Sequence, residues 1–326
     1  MRPRFQWDIG RRSLPLGERT LIMGVLNVTP DSFSDGGRFF SPHAAVAHGL
    51  ALLDEGADIL DIGGESTRPG VSTASGQAPS LAGAVSAQEE IDRVLPIFQA
   101  IRQQRPQAVL SIDTYKSTVA RYALEAGAEI VNDVSGFTWD SAMAATVAAH
   151  PCGSILMHVR GRPHQWRTLP PAPDIVSLVR HELCDRVSAA LAAGVARGSI
   201  VLDPGFGFGK NFDENYPLLA RFAELHLLGF PLLAAVSRKS FLVRTVSARL
   251  AELAGAPHLP QSADVGLQSA RQESIALPPT ARDTATLAAT VAAALAGAHI
   301  VRVHAVRPAV EALAIADAIL LAETPS

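Results

Sequence analysis

Short apolar segments recur along the chain, and each of them ends in polar residues. In chain order the segments are LIMGVLN, DILDIG, AVLSID, AEIVND, SILMH, SIVLD, LLAAVS and HIVRVH. Each segment has the length and the nearly continuous apolar character of a parallel strand that is buried on both faces. Stretches rich in Ala and Leu, long enough for a helix, separate most of the segments. The pattern of eight strand–helix units predicts an α/β fold, a (β/α)8 TIM barrel.

The predicted helices alternate with these strands. Their bounds are His43–Glu55, Ala87–Gln103, Lys116–Glu125, Ser141–His150, Asp174–Ala193, Asp213–Leu225, Asp283–Ala296 and Pro308–Leu321. The phrases GADI, GAEI and GAHI recur where a helix gives way to the next strand, at Gly56, Gly127 and Gly297. Glycine in the left-handed conformation commonly ends a helix, so we expect these turns at the end of the barrel opposite the chemistry.

Two stretches depart from the alternation of strands and helices. Val71–Ser86 is rich in Ser, Ala and Gly, and Thr245–Thr280 becomes polar and proline-rich after the helical phrase RTVSARLAELAG. We interpret both as surface insertions, about 71–86 and 245–280, in a single domain that spans residues 1–326. The later stretch is too short for a hydrophobic core of its own, which disfavours a second domain.

Composition and charge disfavour several classes of function. The chain is 48% hydrophobic and carries 28 basic and 31 acidic residues, a net charge of −3. This balance does not favour binding to nucleic acid or to an anionic membrane. No apolar segment approaches the roughly 20 residues that a membrane span needs. Cys152 and Cys184 lack metal-ligand spacing, so we expect incidental thiols in a cytoplasmic protein.

Asn27 ends the first apolar segment and opens the phrase NVTPDSFSDGG. An amide oxygen suits Mg²⁺ that is shared with a substrate phosphate, because it adds no charge to the site. The Gly, Ser and Asp residues of this phrase, with Phe33 as an apolar tip, are typical of a lid. In the alternative interpretation Asn27 caps a turn and Phe33 packs in the core.

Arginines follow two of the predicted strands. Arg68 lies in GGESTRPG, where two glycines allow the backbone to approach a ligand and the guanidinium matches a phosphate or a carboxylate. The alternative is a surface arginine in a loop rich in Gly and Pro. Alternation along the last strand puts Arg302 and His304 on one face, which favours an anion clamp, although His304 taken alone is as well explained as a rim histidine. The sequence assigns no definite role to His158.

Asp113, Asn132 and Asp203 each lie at the end of a predicted strand. Strand ends converge at the mouth of a barrel, so these three side chains are expected in one pocket. A carboxylate that accepts from adjacent N–H groups, beside an amide that matches a mixed edge, suits a 2-amino-pyrimidinone ring. The alternative is that the carboxylates cap the following helices, and we favour it for Asp133.

The glycine-rich phrase DPGFGFGK follows the sixth segment. Phe206 and Phe208 are candidates for the wall of a flat-ring pocket; a phosphate cradle, without Walker spacing, and plain loop packing are the alternatives. Lys239, in SRKS, offers a point charge to a carbonyl or ring nitrogen, and Ser237 can donate to an anionic second substrate. Met157 could pack on an aromatic ligand, but core filling is favoured.

Taken in order, these phrases resemble those of the dihydropteroate synthase family. The matches are NVTPDSFSDGG, GGESTRPG, SIDT, NDVSG, LMH, DPGFGFGK, SRKSF and RVH, and they extend through nearly the whole chain. The resemblance implies a (β/α)8 barrel, usually a homodimer, that joins 6-hydroxymethyl-7,8-dihydropterin diphosphate to p-aminobenzoate with Mg²⁺ and releases pyrophosphate. By the same analogy the C–O bond to the diphosphate breaks first, in an SN1-like displacement.

The resemblance also implies roles for individual residues. It assigns Mg²⁺ and the diphosphate to Asn27, and anion binding to Arg68, Arg302 and His304. The set that it implies for the pterin is Asp113, Asn132, Asp203 and Lys239, with Met157, Gly207 and Phe208 near the ring faces. The catalytic residues that it implies are Asp113, Lys239, Arg302 and His304. By the same analogy Thr67 and Ser237 lie near p-aminobenzoate, and two mobile loops contain Phe33 and Pro69.

The chain departs from the family pattern in four places. Both insertions are longer than usual, Ala285 stands where Gly is common, and Ala305 follows His304 where Asp is usual. A methyltetrahydrofolate:corrinoid methyltransferase domain would keep the Asp/Asn/Asp set but has no use for a diphosphate clamp. A non-catalytic pterin-binding paralogue is favoured only by the insertions, and the complete set of candidate residues argues against it.

Overall fold

The chain forms a closed barrel of parallel strands preceded by a hairpin. A computed structural model describes residues 2–29, 41–65, 85–166, 168–253 and 282–322. The hairpin pairs β1 (Phe5–Asp8) with β2 (Ser13–Leu16) in antiparallel register. The barrel strands are β3 (Leu21–Asn27), β4 (Ile59–Gly63), β5 (Val109–Asp113), β6 (Ile130–Asp133), β7 (Gly153–Met157), β8 (Ile200–Asp203), β9 (Leu233–Ala234) and β10 (Ile300–Val303).

Strand order in the sheet follows the order in the chain, which confirms the predicted (β/α)8 barrel. Consecutive strands from β3 to β8 are parallel neighbours, and β10 lies between β3 and β9. The last gap is closed by a parallel bridge between Leu202 of β8 and Leu232, just before β9. The Leu202 amide donates to the carbonyl of Pro231 at 2.9 Å across this seam.

Helices pack around the strands close to their predicted positions. They are α1 (Pro42–Asp54), α2 (Ala87–Gln104), α3 (Ser117–Glu125), α4 (Met143–Ala148), α5 (Ile175–Ala192), α6 (Asn215–Ala220), α7 (Ser240–Leu253), α8 (Asp283–Leu295) and α9 (Val306–Ala322). Gly56, Gly127 and Gly297 have φ angles of 109°, 103° and 100°, as predicted for these turns. None of the helices in the described ranges is long and apolar enough to cross a membrane.

Two predicted boundaries require correction. The helix predicted at Asp213–Leu225 is divided into a 3-10 turn, the short helix α6 and a second 3-10 segment, because Arg221 leaves helical geometry with φ −104° and ψ 21°. Ser86, assigned to an insertion, is the N-cap of α2 and forms a capping box with Glu89. The helical phrase at the start of the second insertion continues α7 to Leu253, and residues 254–281 lie outside the described ranges.

The barrel interior changes from apolar to polar along the strands. Side chains alternate across a strand, so residues two apart face the same side. The inward residues near the strand starts form a buried apolar layer: Met23, Ile59, Val109, Ile130, Ile155, Val201, Leu233 and Ile300. Two residues further along, the inward positions on five strands carry Asp61, Ser111, Asn132, Asp203 and Arg302. The polar layer therefore lies at the carboxyl ends, where active sites of such barrels are built.

The hairpin was not predicted from the sequence, and it closes the amino-terminal end of the barrel. Trp7, Ile9 and Leu16 are almost fully buried and pack on the lower apolar layer. The indole N–H of Trp7 donates to the carbonyl of Ser199 at 2.8 Å. A side chain at Gly10, whose φ is 87°, would collide with the Pro151 carbonyl, so the turn of the hairpin lies directly on the barrel.

Candidate active site

Arg302 lies at the centre of the polar layer. Its Nε donates to Oδ2 of Asp61 at 2.6 Å, and its Nη2 donates to Oδ2 of Asp113 at 2.7 Å. Nearby carboxylates raise the pKa of Arg302 against the opposing effect of burial. Two carboxylates on different strands therefore fix the plane and direction of one guanidinium, which is the kind of pre-organisation that a binding site requires.

Asp61 is a site residue that the sequence reasoning missed. Its side chain is fully buried on β4, and the same Oδ2 that meets Arg302 also accepts from Nδ2 of Asn132 at 2.9 Å. The other oxygen, Oδ1, is buried without a hydrogen-bond partner in the described part of the chain. Asp61 lies inside an apolar segment, but its spacing of two from Ile59 was a signal that it points inward.

Asp113 and Asn132, predicted to share a pocket, meet around Arg302 and Asp61. Burial raises the pKa of Asp113 to about 7; the charge of Arg302 opposes this shift and that of Asp61 reinforces it. Gly63 lies opposite Asp113 in the sheet, and a Cβ there would approach the Cβ of Asp113 to 3.3 Å. The glycine thus leaves room for a carboxyl group that can exist in either protonation state near neutral pH.

Asp203, the third predicted carboxylate, is buried at the end of β8. Its Oδ1 accepts from the Gly205 amide at 2.7 Å. Burial raises the pKa of Asp203, while that amide and the positive charges of Lys239, Lys210 and Arg302 oppose the shift. A buried carboxylate surrounded by cations is suited to accept hydrogen bonds from the N–H groups of a ligand.

A small apolar cluster lies above the polar layer. Its buried members are Val134, Met157, Val159 and Trp166, and Tyr115, Trp139, Leu169 and Phe208 pack against it. The rings of Trp166 and Phe208 meet edge to face, with centroids 5.5 Å apart, and Nζ of Lys239 lies 4.0 Å from the Phe208 centroid. The structure therefore brings together three residues implied for the pterin: Met157, Phe208 and Lys239.

Phe206 does not belong to this wall, which corrects the interpretation of the glycine-rich phrase. Its side chain is fully buried and stacks on Phe222 and Phe241, with centroid distances of 6.3 and 6.4 Å. Gly207, between the two phenylalanines, has a φ of 79°, and its amide donates to Oδ1 of Asn215 at 2.7 Å. The left-handed turn sends one aromatic ring into the core and the other to the barrel mouth.

Ser237 and His304 come together just beyond the ends of the neighbouring strands β9 and β10. Oγ of Ser237 lies 2.9 Å from Nδ1 of His304, and the His304 amide donates to the same oxygen at 3.3 Å. Arg238 follows with a φ of 56°, and its guanidinium forms a bidentate ion pair with Asp283 of α8. This pair, which the sequence reasoning did not single out, fixes the backbone beside Lys239.

The loop after β4 begins at a rigid anchor. Glu65 pairs with Lys116, which also pairs with the buried Glu90. Arg93 donates to the Gly64 carbonyl at 2.8 Å. The predicted residues Phe33, Thr67, Arg68 and Pro69 lie outside the described ranges.

Asn27 ends β3 beside Gly63 of β4 and is half-buried. Within the described ranges, no cluster of three or more His, Cys, Asp and Glu side chains is suited to hold a metal. A neutral amide at a strand end still fits Mg²⁺, which commonly keeps several waters and shares substrate phosphates.

Asp133 and His158 are structural. Asp133 accepts from the amides of Ser135 and Phe137 at 2.7 and 3.0 Å, in the turn that follows β6. It therefore binds backbone amides, but it does not cap the following helix α4, whose N-cap is Ala142. Burial raises the pKa of Asp133 to about 6. His158 is fully buried beside Lys210, and burial lowers its pKa well below the usual range. Neither residue is part of the polar layer around Arg302.

Comparison with known proteins agrees with this geometry. A family model described as "Pterin binding enzyme" matches residues 23–304. Dihydropteroate synthase of Escherichia coli is 39% identical over 304 residues, which cover 93% of this chain and 92% of that protein. The enzyme of Mycobacterium leprae is 43% identical over 301 residues, covering 91% and 92%. The solved structure of Xanthomonas albilineans dihydropteroate synthase with 4-aminobenzoic acid superposes with a TM-score of 0.77 at 38% identity and covers 100% of both chains.

Proposed function

The chain belongs to the dihydropteroate synthase family of pterin-binding enzymes, and we propose that it performs that family's reaction in folate biosynthesis. It joins 6-hydroxymethyl-7,8-dihydropterin diphosphate to p-aminobenzoate, giving 7,8-dihydropteroate and pyrophosphate. The observation that carries this proposal is the convergence of Asp113, Asn132 and Arg302 in one hydrogen-bonded layer. Five strands contribute to it, because Asp61 of β4 links Asn132 to Arg302 and the buried Asp203 ends β8.

The polar layer suits the edge of a pterin. Asp203 and Asn132 offer a carboxylate and an amide, which complement the adjacent donors and the mixed edge of a 2-amino-pyrimidinone ring. Lys239 offers a donor to the ring carbonyl, and Met157 and Phe208 supply apolar surface for the ring faces. Ser237 serves p-aminobenzoate, and Thr67 is proposed for the same site by analogy.

The side of the mouth that carries Arg302 and His304 suits the diphosphate. Arg302 is oriented by Asp61 and Asp113, and His304 by Ser237. We assign the leaving group to Arg302 and His304, with Arg68 added by analogy. Asn27 would hold Mg²⁺ through its amide oxygen together with phosphate oxygens of the substrate. When bound, the ion would neutralise charge that develops on the leaving diphosphate.

The chemistry then requires no nucleophilic side chain. The C–O bond breaks with its electron pair passing to the diphosphate, and the dihydropterin ring spreads the positive charge left on its methylene carbon. The neutral aromatic amine donates its lone pair to form the C–N bond and releases a proton. Asp113, Lys239, Arg302 and His304 act by orienting the two substrates and by stabilising charge, which is an effective form of catalysis in a pre-organised site.

The direct test measures pyrophosphate release from dihydropterin diphosphate, with and without p-aminobenzoate and Mg²⁺. The proposal expects release that requires both additions and that accompanies dihydropteroate formation. Pterin binding without release would contradict it and would favour a binding paralogue. Methyl transfer from methyltetrahydrofolate to a corrinoid would instead identify the related methyltransferase activity.

We also propose a homodimer. Six exposed large apolar side chains lie on α7, α8 and α9: Leu250, Leu253, Leu295, Ile315, Ile319 and Leu321. The helices α7 and α9 both pack against α8, and exposed apolar side chains on adjacent helices are a common feature of interfaces. Sedimentation of the full chain at micromolar concentration should show a species of twice the monomer mass, and a monomer that persists there would contradict the proposal.

We further propose a cytoplasmic location. The thiols of Cys152 and Cys184 are free, which supports that location.

A further inference from the structure

Lys210 is a buried lysine that the reaction described above does not use. It ends the phrase DPGFGFGK, and only 8% of the residue is exposed. Nζ lies 2.7 Å from the Gly205 carbonyl, 3.3 Å from that of Phe208 and 3.4 Å from that of His158. It also lies 2.9 Å from Nδ1 of His158. Lys210 therefore binds two carbonyls of the loop that precedes it and one carbonyl at the end of β7.

The backbone of this loop adopts an unusual conformation, which the contacts of Lys210 stabilise. Gly205, Gly207 and Gly209 have φ angles of 66°, 79° and 64°, all in the left-handed region. A side chain at Gly205 would collide with the carbonyl of His158, so the loop lies directly against the end of β7. The Gly205 carbonyl also accepts from the Phe208 amide at 3.2 Å, which closes a tight turn.

The same loop carries two contacts of the candidate pterin pocket. The Gly205 amide donates to Asp203, and the Phe208 ring meets Lys239 and Trp166. The carbonyls of Gly205 and Phe208 point instead to Lys210. The two faces of one short turn are therefore divided between the pocket and the buried lysine. A shift of the turn would move the Asp203 partner and the aromatic wall together.

His158 fixes the other side of the lysine. Lys210 has N–H groups to donate, so Nδ1 of His158 accepts and the proton of the neutral imidazole is on Nε2. Nε2 lies 3.0 Å from Oε2 of Glu182 on α5, although the contact lacks the geometry of a hydrogen bond. Burial lowers the pKa of Lys210, while the charge of Asp203 raises it.

We propose that Lys210 is a positioning residue for pterin binding, which holds the turn 205–208 so that Asp203 and Phe208 face the ring. This role rests on the pterin pocket assigned under the proposed function. Lys210 does not touch the substrate, so it acts through the backbone that it binds. Its loss should therefore weaken pterin binding while leaving the diphosphate side, on β3 and β10, intact.

The test compares Lys210→Met with a matched variant at the other end of the barrel. Arg102 is also a largely buried cation that binds backbone carbonyls, those of Pro106, Ala108 and Gly127, at 2.7, 2.8 and 2.6 Å. Arg102→Met should therefore lower the melting temperature without moving the pocket. Calorimetry would measure the affinity of each folded variant for 6-hydroxymethylpterin and, separately, for pyrophosphate with Mg²⁺.

We expect Lys210→Met to weaken pterin binding by about tenfold or more, the scale of one misplaced hydrogen bond to a charged group. Pyrophosphate affinity should stay within about twofold, and Arg102→Met should keep both affinities within the same margin. Lys210→Gln, which keeps an N–H donor on a shorter side chain, should recover part of the pterin affinity, and it serves alone if the Met variant does not fold.

Two results would overturn the inference. Equal pterin affinity in the Lys210 and Arg102 variants would show that Lys210 supports stability alone, and equal losses for pterin and pyrophosphate would show general damage. Measuring 6-hydroxymethylpterin binding to the wild-type protein separates failure of this inference from failure of the proposed function. If the wild-type protein itself does not bind 6-hydroxymethylpterin, the pocket assignment and the role of Lys210 both fail.

Discussion

At the amino-terminal end of the barrel the buried Glu129 accepts from Arg12 with both oxygens, at 2.9 Å each. At the mouth the buried Asp61 gives one oxygen to both Arg302 and Asn132, and its other oxygen has no partner among the described residues. The first arrangement satisfies a buried charge, whereas the second leaves hydrogen-bonding capacity unused. A buried carboxylate oxygen without a partner is costly, and at the mouth of the barrel this oxygen is available to a ligand.

The apolar residues at the two ends of the barrel also differ in how completely they are buried. Beneath the barrel, Trp7 and Ile9 seal the lower layer with fully buried surface. Above it, Phe208 is only partly buried and belongs to a small cluster beside charged groups. One end of the barrel is therefore built for stability and the other for recognition. Substitutions matched between the two ends should separate the free energy of unfolding from turnover.

The largest effect on stability is expected at the closed end. Trp7→Ala should lower the free energy of unfolding by about 3–5 kcal/mol, because it leaves a large cavity and removes the indole N–H that donates to the Ser199 carbonyl. Denaturant unfolding would measure this loss, and turnover below the melting temperature should stay within about twofold of wild type. Trp7→Phe keeps most of the volume and should cost about 1 kcal/mol. A large fall in turnover in the folded Trp7→Ala variant would break the division between the two ends.

The largest effect on turnover is expected at Asp203. Asp203→Asn keeps the size of the side chain and an oxygen for the Gly205 amide, but it replaces an acceptor with a donor facing the pterin. We expect kcat/KM to fall by about a hundredfold, or about 2.7 kcal/mol, from steady-state rates. The melting temperature should not fall, because burial already disfavours the charge of Asp203.

Asp133→Asn is the control for that substitution. Asp133 is an equally buried carboxylate at a strand end, but it binds two backbone amides. Its replacement should lower the melting temperature and change kcat/KM by less than about tenfold. If the two variants lose turnover equally, the distinction between a ligand-facing carboxylate and one that binds backbone amides is wrong.

A third effect is expected in the dependence of stability on pH. The pKa of Asp113 is raised to about 7 in the folded protein, so the native state binds a proton that the unfolded chain releases at about pH 4. The contribution of this group to stability is therefore complete below about pH 4 and is lost as the pH rises through about 7. The loss should amount to at most about 4 kcal/mol, because one pKa unit corresponds to about 1.4 kcal/mol and the pKa of about 7 already includes the opposing charge of Arg302.

Asp113→Asn should flatten that part of the profile. Denaturant unfolding of both proteins between about pH 4 and 8 would give the difference in slope. Arg302 keeps its bond to Asp61 in the variant, so the guanidinium is not left without a carboxylate. Identical slopes in the two proteins would show that Asp113 does not titrate in this range.

The sequence predicted the barrel because buried parallel strands leave an unmistakable local pattern, and it predicted the strand-end residues because the barrel brings those ends together. It did not predict the hairpin, because FQWD and SLPL are too short to show a period and bury their side chains only against distant strands. Tertiary contacts of this kind are absent from any local window of sequence.

Within the site, the errors have the same origin. Asp61 was hidden because it interrupts an apolar segment, where its register with Ile59 is the only clue. Phe206 and Phe208 are indistinguishable as residues, and only the left-handed turn at Gly207 sends them in opposite directions. Lys210 was not singled out, because its partners are backbone carbonyls and the sequence does not show where these point.

The position of the hairpin beneath the barrel also affects how the chain folds during synthesis on the ribosome. The carbonyl that Trp7 binds belongs to Ser199, 192 residues later in the chain. At about 5–20 residues per second, the ribosome needs about 10–40 s to synthesise that interval. During this time the apolar face of the hairpin has no barrel to cover, and exposed apolar surface of this kind is a substrate for chaperones. The first strands to be made are thus among the last to find their place.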